Sequence, residues 1–304
     1  MLINKLLYSL RLYTISSLIF LSACATQAET STQLNSQINL TNEVVTTNAR
    51  SMQYLTSPAI LVFSETRDWR HEGGIVGANL TILKAAQDME LGYFSTEHSG
   101  VFNDKDLARF NTIVFNNMTG DALTQEQEAA YLRWQAKGHG TVLIHGSGDG
   151  SQSRWTQYHE ILVGSRFLSH PMAPQIQAAR VQVLKPTHPV MRGVPNEFIA
   201  VDEWYTFETP PNDQFTLLAG LDESSYSPLN TVYGEQSDLR MGPTPNEHPI
   251  IWARCYGDKQ SRSVFTAMGH QHQSYEALEA SLILKNALAW VARKSDPNSI
   301  GCAR

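Results

Sequence analysis

The chain has 304 residues, a net charge of −6, 42% hydrophobic residues and three cysteines. An acidic balance with no basic stripe excludes a nucleic-acid footprint, and so few cysteines exclude a disulfide scaffold. The length suits one large α/β domain once the N-terminal segment is set aside.

Residues 1–23 read as an export signal. Lys5 and Arg11 supply positive charge, and Tyr13 to Leu21 is an apolar run too short to span a membrane comfortably. The run ends in Leu21-Ser22-Ala23-Cys24, which resembles a bacterial lipobox, so cleavage before Cys24 and lipidation of its thiol are expected. Ala25 follows rather than Asp, so nothing resembles an inner-membrane retention signal. The expected location is a bacterial membrane, the outer one, facing the periplasm. Residues 24–57 are rich in Thr, Ser, Asn and Gln and show no sustained period, as expected of a disordered tether. The globular domain is expected over residues 58–294, followed by a tail over 295–304. Beyond Cys24 only Cys255 and Cys302 remain, enough for one disulfide in an oxidising compartment.

Ala59 to Phe63 is a continuous apolar run, hence a buried first strand. The polar loop Ser64 to Gly74 carries Arg67, Arg70, His71 and Glu72, and Ile75 to Met89 has helical spacing. Gly92 to Ser95 reads as the second strand. Asn103 or Asp104 caps a short helix ending near Phe110. Thr112 to Phe115 is the third strand, ending at Asn116-Asn117. Thr124-Gln125-Glu126-Gln127 is a capping box before a helix to about Lys137, closed by Gly138. Thr141 to Ile144 is the fourth strand, broken by His145-Gly146-Ser147-Gly148-Asp149-Gly150. This alternation predicts a mostly parallel sheet with helices on both faces. Trp155 to Leu162 is expected to be helical. Gln177 to Leu184 and Phe215 to Leu218 read as strands in a stretch otherwise hard to assign. Ile250 to Cys255 and Ser263 to Ala267 form a strand pair, and Tyr275 to Val291 a closing helix.

Polar residues gather at the predicted strand ends: His71 after strand one, Asn117 after strand three, His145 after strand four and His270 after Ser263 to Ala267. Parallel strands would put all four loops on one sheet edge, where open α/β sheets bind ligands. Asp202 and Glu203 are adjacent and, if extended, face opposite ways, so they are not a glycosidase carboxylate pair. Glu203 is expected to face the pocket and Asp202 to bind backbone. His71, His145, Glu203 and His270 are ligand types that suit a divalent metal such as zinc. Their spacing demands none, and a metal-free acid–base cluster is the reading spacing favours. The glycines after His145 do not make a dinucleotide fingerprint, and Ser147 lacks the flanking glycines of a nucleophile elbow.

Seven phrases in one order resemble the ThuA-like family, named for trehalose utilisation. They are Ser64-Glu65-Thr66-Arg67-Asp68-Trp69-Arg70-His71-Glu72, Asn117-Met118-Thr119-Gly120-Asp121, Leu143-Ile144-His145-Gly146, Ser169-His170-Pro171, Asp202-Glu203-Trp204-Tyr205, Glu247-His248-Pro249-Ile250 and Met268-Gly269-His270. The resemblance runs over about residues 59 to 293. It implies a flavodoxin-like, doubly wound sheet of the class I glutamine amidotransferase-like kind. It also implies a small-molecule carbohydrate, or its oxidised keto derivative, as substrate. The family more often has Ala-Ala after the strand-end histidine, where this chain has Gly146-Ser147-Gly148. No cysteine stands at the strand-to-helix elbow that amidotransferases use, so glutamine hydrolysis is not expected.

On this reading His145 and Glu203 exchange protons, while His71 and His270 polarise oxygen directly or through a metal. Arg70, Asn117, Asp149 and His170 hold hydroxyls, His170 on the resemblance alone. Trp69, Trp155, Trp204 and Tyr205 could stack on a sugar, although such aromatics more often pack cores. The competing readings are a surface module that binds a glycan without converting it and, more weakly, a hydrolase using Ser147. Oligomeric state is not readable from the sequence.

Overall fold

The computed structural model describes residues 52–232, 237–294 and 300–302. The export signal, Cys24 and nearly all of the expected tether lie outside the described residues. Packing begins upstream of Pro58: Met52 is buried, and its carbonyl accepts a bond from Arg109 Nη1 at 3.0 Å. At the other end Cys302 is joined to Cys255 in a disulfide, which fastens the C-terminal residues to the domain.

The strands are β1 (Ala59–Phe63), β2 (Gly92–Thr96), β3 (Phe110–Asn116), β4 (Gly140–Ile144), β5 (Phe167–Ser169), β6 (Ile176–Val183), β7 (Glu197–Glu203), β8 (Thr206–Phe207), β9 (Thr216–Asp222), β10 (Leu229–Asn230), β11 (Ser237–Asp238), β12 (Pro249–Tyr256) and β13 (Ser261–Thr266). The α-helices are α1 (Glu72–Asp88), α2 (Asp104–Leu107), α3 (Gln125–Gln135) and α4 (Leu278–Val291). Among the described residues the largest sheet has nine strands, in the order β2-β1-β3-β4-β13-β12-β9-β6-β7.

Its first five strands are parallel, in a flavodoxin-like order, and β1 and β4 are buried at every residue. Strands covered on both faces need no polar alternation, so they appear as unbroken apolar runs. The remaining four strands continue the sheet antiparallel. This extension holds three of the expected strands, β12, β9 and β6, and one that was not expected, β7.

Local signals acted as their chemistry predicts. Thr124 Oγ1 accepts from the Gln127 N–H and Gln127 Oε1 accepts from the Thr124 N–H, closing the capping box of α3. Asn103 Oδ1 accepts from the Asp106 N–H and caps α2, which ends at Leu107 rather than near Phe110. The segment expected to be helical from Trp155 is helical over Tyr158–Val163, in the wider π form. The last helix begins at Leu278 after a separate 3₁₀ turn at His272–Tyr275.

One close approach fixes the site's frame. A Cβ on Gly74, in the first turn of α1, would lie 2.2 Å from the Gly269 carbonyl oxygen. Only glycine lets α1 press against the Met268-Gly269-His270 loop.

Candidate active site

His71 ends the loop after β1 and stands at the N-terminus of α1. His145 is the first residue beyond β4, at φ +44, and Asn117 is the first beyond β3, at φ +54. Both are non-glycine residues in the left-handed region, a conformation that concentrates at functional sites. The Gly146 N–H donates to Asn117 Oδ1 at 3.1 Å, tying the two turns together. Gly146 also makes room for a ring, since a Cβ there would lie 2.8 Å from His71 Nδ1.

Glu203 ends β7 and Asp202 points the other way, as their adjacency predicts. Asp202 is fully buried and accepts from the N–H groups of Glu203, Gly269 and His270 at 2.9, 2.8 and 3.1 Å. It therefore holds the His270 loop, while Glu203 faces the histidines. Glu203 Oε2 lies 3.2 Å from His145 Nε2 and 3.2 Å from His270 Nδ1, and those two nitrogens are 3.3 Å apart. The His71 ring stands edge-on to both, with centroids 4.8 Å from His145 and 5.0 Å from His270. The structure thus brings four residues from remote segments to one place. Each offers one ligand atom, and these four atoms lie within 4.8 Å of one another.

The tautomers are constrained. His145 Nδ1 lies 2.6 Å from the Ala267 carbonyl, an acceptor only, so Nδ1 carries a proton. Nε2 then faces the Glu203 carboxylate and is either protonated or bound to a cation. Burial opposes charge on His145, but the bond and attraction of Glu203, with Asp202, outweigh it and raise its pKa. Burial likewise pushes the Glu203 carboxyl up, and the facing histidines more than reverse this, holding it well below its usual range. His71 goes the other way. Burial and the neighbouring imidazoles push it down to about 3, and its buried Nδ1 has no hydrogen-bond partner.

A cavity of about 590 Å³ opens over the cluster, lined by His71, Glu203, Tyr205, Asp149, His170 and Trp69. It meets a neighbouring cavity of about 690 Å³ at Asp149, Gly150 and Phe167. His170 Nδ1 lies 3.4 Å from Glu203 Oε1, and Gln175 donates to the same oxygen. Asp149 stands in the wall, where burial raises its carboxyl although Ser151 donates twice to Oδ1.

Two expected hydroxyl-binding residues are not in the cleft. Arg70 is spent on Glu72 and Glu97, at 2.5 and 2.7 Å. Asn117 is wholly buried and spends its amide on Asn116, Gly146 and Gly269. Of the four aromatics considered for stacking, Trp155, Trp204 and Tyr205 are buried, and only Trp69 is exposed, at 68%. Ser147 is enclosed as well: its Oγ donates to the Phe115 carbonyl and accepts from the Met118 N–H. It has no base beside it, and Cys255 and Cys302 are paired, so no described residue forms an amidotransferase-type nucleophile.

His248, which no strand-end position singled out, is wholly buried and bonds Glu223 and the Tyr205 carbonyl. Its phrase, Glu247-His248-Pro249-Ile250, was the available signal.

Sheet order, carboxyl-edge cleft and covered parallel core together define a doubly wound, flavodoxin-like α/β protein with its candidate site at the carboxyl edge of the parallel strands. The family model described as ThuA, trehalose utilisation, matches residues 59–291, and the chain belongs to that family. Among solved structures it is similar to a ThuA-like protein of Bacteroides uniformis, at 22% identity and a TM-score of 0.64 over 81% of this chain and 96% of that one. It is also similar to a ThuA-like protein of Parabacteroides merdae, at 15% identity and a TM-score of 0.56 over 79% and 92%. At these identities the likeness bears on fold. Curated proteins give no match.

Proposed function

We propose that the chain is an exported enzyme acting on a carbohydrate or its oxidised keto derivative, with a divalent transition metal such as zinc held by His71, His145, Glu203 and His270. The donor set carries this reading. Three ligand atoms are spaced 3.2–3.3 Å apart, close to the edge of roughly 3.3 Å expected for a tetrahedron with bonds of about 2.0–2.1 Å. The Ala267 carbonyl fixes the His145 tautomer that frees Nε2 as a ligand, and His71 adds a buried nitrogen without a partner. The sugar rests on the family description and on the exposed Trp69 face at the cleft mouth.

When bound, the ion would act as a Lewis acid toward a substrate oxygen or water. His145 is enclosed, so proton exchange with substrate falls to the cleft wall rather than to His145. Asp149, with its raised carboxyl, holds or delivers a proton there, and His170 with Gln175 orients Glu203. A second reading, a metal-free centre, is favoured by the raised His145 facing the Glu203 anion, a ready imidazolium–carboxylate pair.

Export and a lipid on Cys24 remain part of the proposal, supported by the Cys255–Cys302 disulfide, which belongs to an oxidising compartment. Among the described residues no helix is long and apolar enough to cross a membrane. The test is to load purified protein with zinc, incubate it with a panel of mono-, di- and keto-saccharides, and follow products by mass spectrometry and chromatography. Conversion lost in His145→Ala supports the enzyme. Binding with no change of mass or isomer makes the protein a binding module instead.

A further inference from the structure

We infer that His248 and Glu223 are a positioning pair for the histidine cluster: together they fix Tyr205, and through its ring they set the face of His145. The inference rests on reading the cluster as the functional centre. His248 Nδ1 lies 2.6 Å from Glu223 Oε1, and Nε2 lies 2.9 Å from the Tyr205 carbonyl oxygen. Both partners are acceptors, so both ring nitrogens donate and the ring carries two protons. The remaining polar neighbour is the Tyr226 hydroxyl, 3.4 Å from Nδ1. Glu223 is pinned from its other side by the Met241 and Gly242 N–H groups at 2.6 and 3.4 Å. A neutral imidazole could donate to only one of the two acceptors. An imidazolium bridges them, joining the segment after β9 to the turn between β7 and β8.

The clamped residue connects this pair to the site. The Tyr205 ring packs on His145 with centroids 4.1 Å apart and planes 32° apart, and Tyr205 follows Glu203 by two positions. Neither His248 nor Glu223 lines the cleft over the cluster. Their effect on the site is therefore indirect, through the orientation of His145 and the path of the chain at Glu203. Partners hydrogen-bonded directly to a ligand change metal affinity roughly 10–100-fold, and this pair stands one residue further out, so the low end of that range is expected.

The test compares wild type, His248→Gln with Glu223→Gln, and Val190→Ala. The double variant avoids stranding a buried carboxylate. Val190 is buried in the 3₁₀ turn Pro189–Met191 and serves as a control for lost stability alone. Two readouts are used: histidine-ring ¹H–¹⁵N NMR and titration with Co²⁺. The expected results are two ring protons on His248 in wild type, shifted His145 ring signals in the double variant, and about tenfold weaker cobalt binding there. Val190→Ala should change neither readout. A singly protonated His248 in wild type, or a double variant whose His145 signals and cobalt affinity match those of Val190→Ala, overturns the inference. If no protein binds cobalt but His145 still shifts in the double variant, the metal proposal falls and the positioning role stands.

Discussion

The parallel strands β2-β1-β3-β4-β13 and the antiparallel strands β12-β9-β6-β7 serve one site in different ways. Three members of the cluster, His71, His145 and His270, follow carboxyl ends of parallel strands whose interiors are apolar and enclosed. The fourth, Glu203, arrives on β7, the outermost strand of the extension, together with Asp202, which holds the His270 loop. The parallel half supplies rigidity and three imidazoles. The extension supplies the negative charge that faces them. A doubly wound sheet can thus change its chemistry by what is appended to it, without altering its core.

If this division is right, substitutions in the two halves have separable effects. Glu203→Gln should weaken zinc or cobalt binding at least about 1,000-fold, near 4 kcal/mol, as titration would show. Leu61→Ala, in fully buried β1, should instead cost about 2–5 kcal/mol of stability in denaturant unfolding and leave metal affinity nearly unchanged where the protein is folded. A Leu61→Ala protein that loses affinity as Glu203→Gln does would break the comparison. Cys302→Ser releases the staple on β12, whose two cysteines are 47 residues apart. It should lower stability by about 2–4 kcal/mol, again without touching the cluster.

The smallest effect is in pH dependence. In metal-free protein His71 is neutral in the fold down to about 3, whereas in the unfolded chain it takes a proton near its ordinary value of about 6.5. Between those values the unfolded state binds more protons, so stability rises with pH, by up to roughly 1.4 kcal/mol per unit from this group. Comparing wild type with His71→Gln by denaturation at pH 4, 5 and 6 isolates the contribution. Equal slopes would mean that His71 is not held neutral.

The same contrast between halves governs what could be read from residues alone. β1, β3 and β4 were legible because burial on both faces writes itself as a run of Val, Ile, Leu and Phe. β7 was not, because Ile199 and Val201 are apolar yet about 59% and 50% exposed. They lie on the outer face opposite the buried Phe198 and Ala200, so the strand lacks the alternation that marks one wet side. Among site residues, strand-end position found the three histidines, and adjacency in an extended segment separated the roles of Asp202 and Glu203. Position could not show that Arg70 is neutralised by Glu72 and Glu97, or that Asn117 is used up by backbone and a neighbouring amide. Those outcomes depend on partners brought near by folding. The His248–Glu223 pair is hidden for the same reason, since 25 positions separate two residues with no periodic relation.

The most direct test of the central claim is the zinc content of folded, desalted protein measured by inductively coupled plasma mass spectrometry, with Glu203→Gln and His145→Ala alongside. The account predicts about one zinc per wild-type chain and almost none in either variant while circular dichroism shows both folded. Wild-type protein that remains folded but retains no zinc from micromolar solution would contradict it.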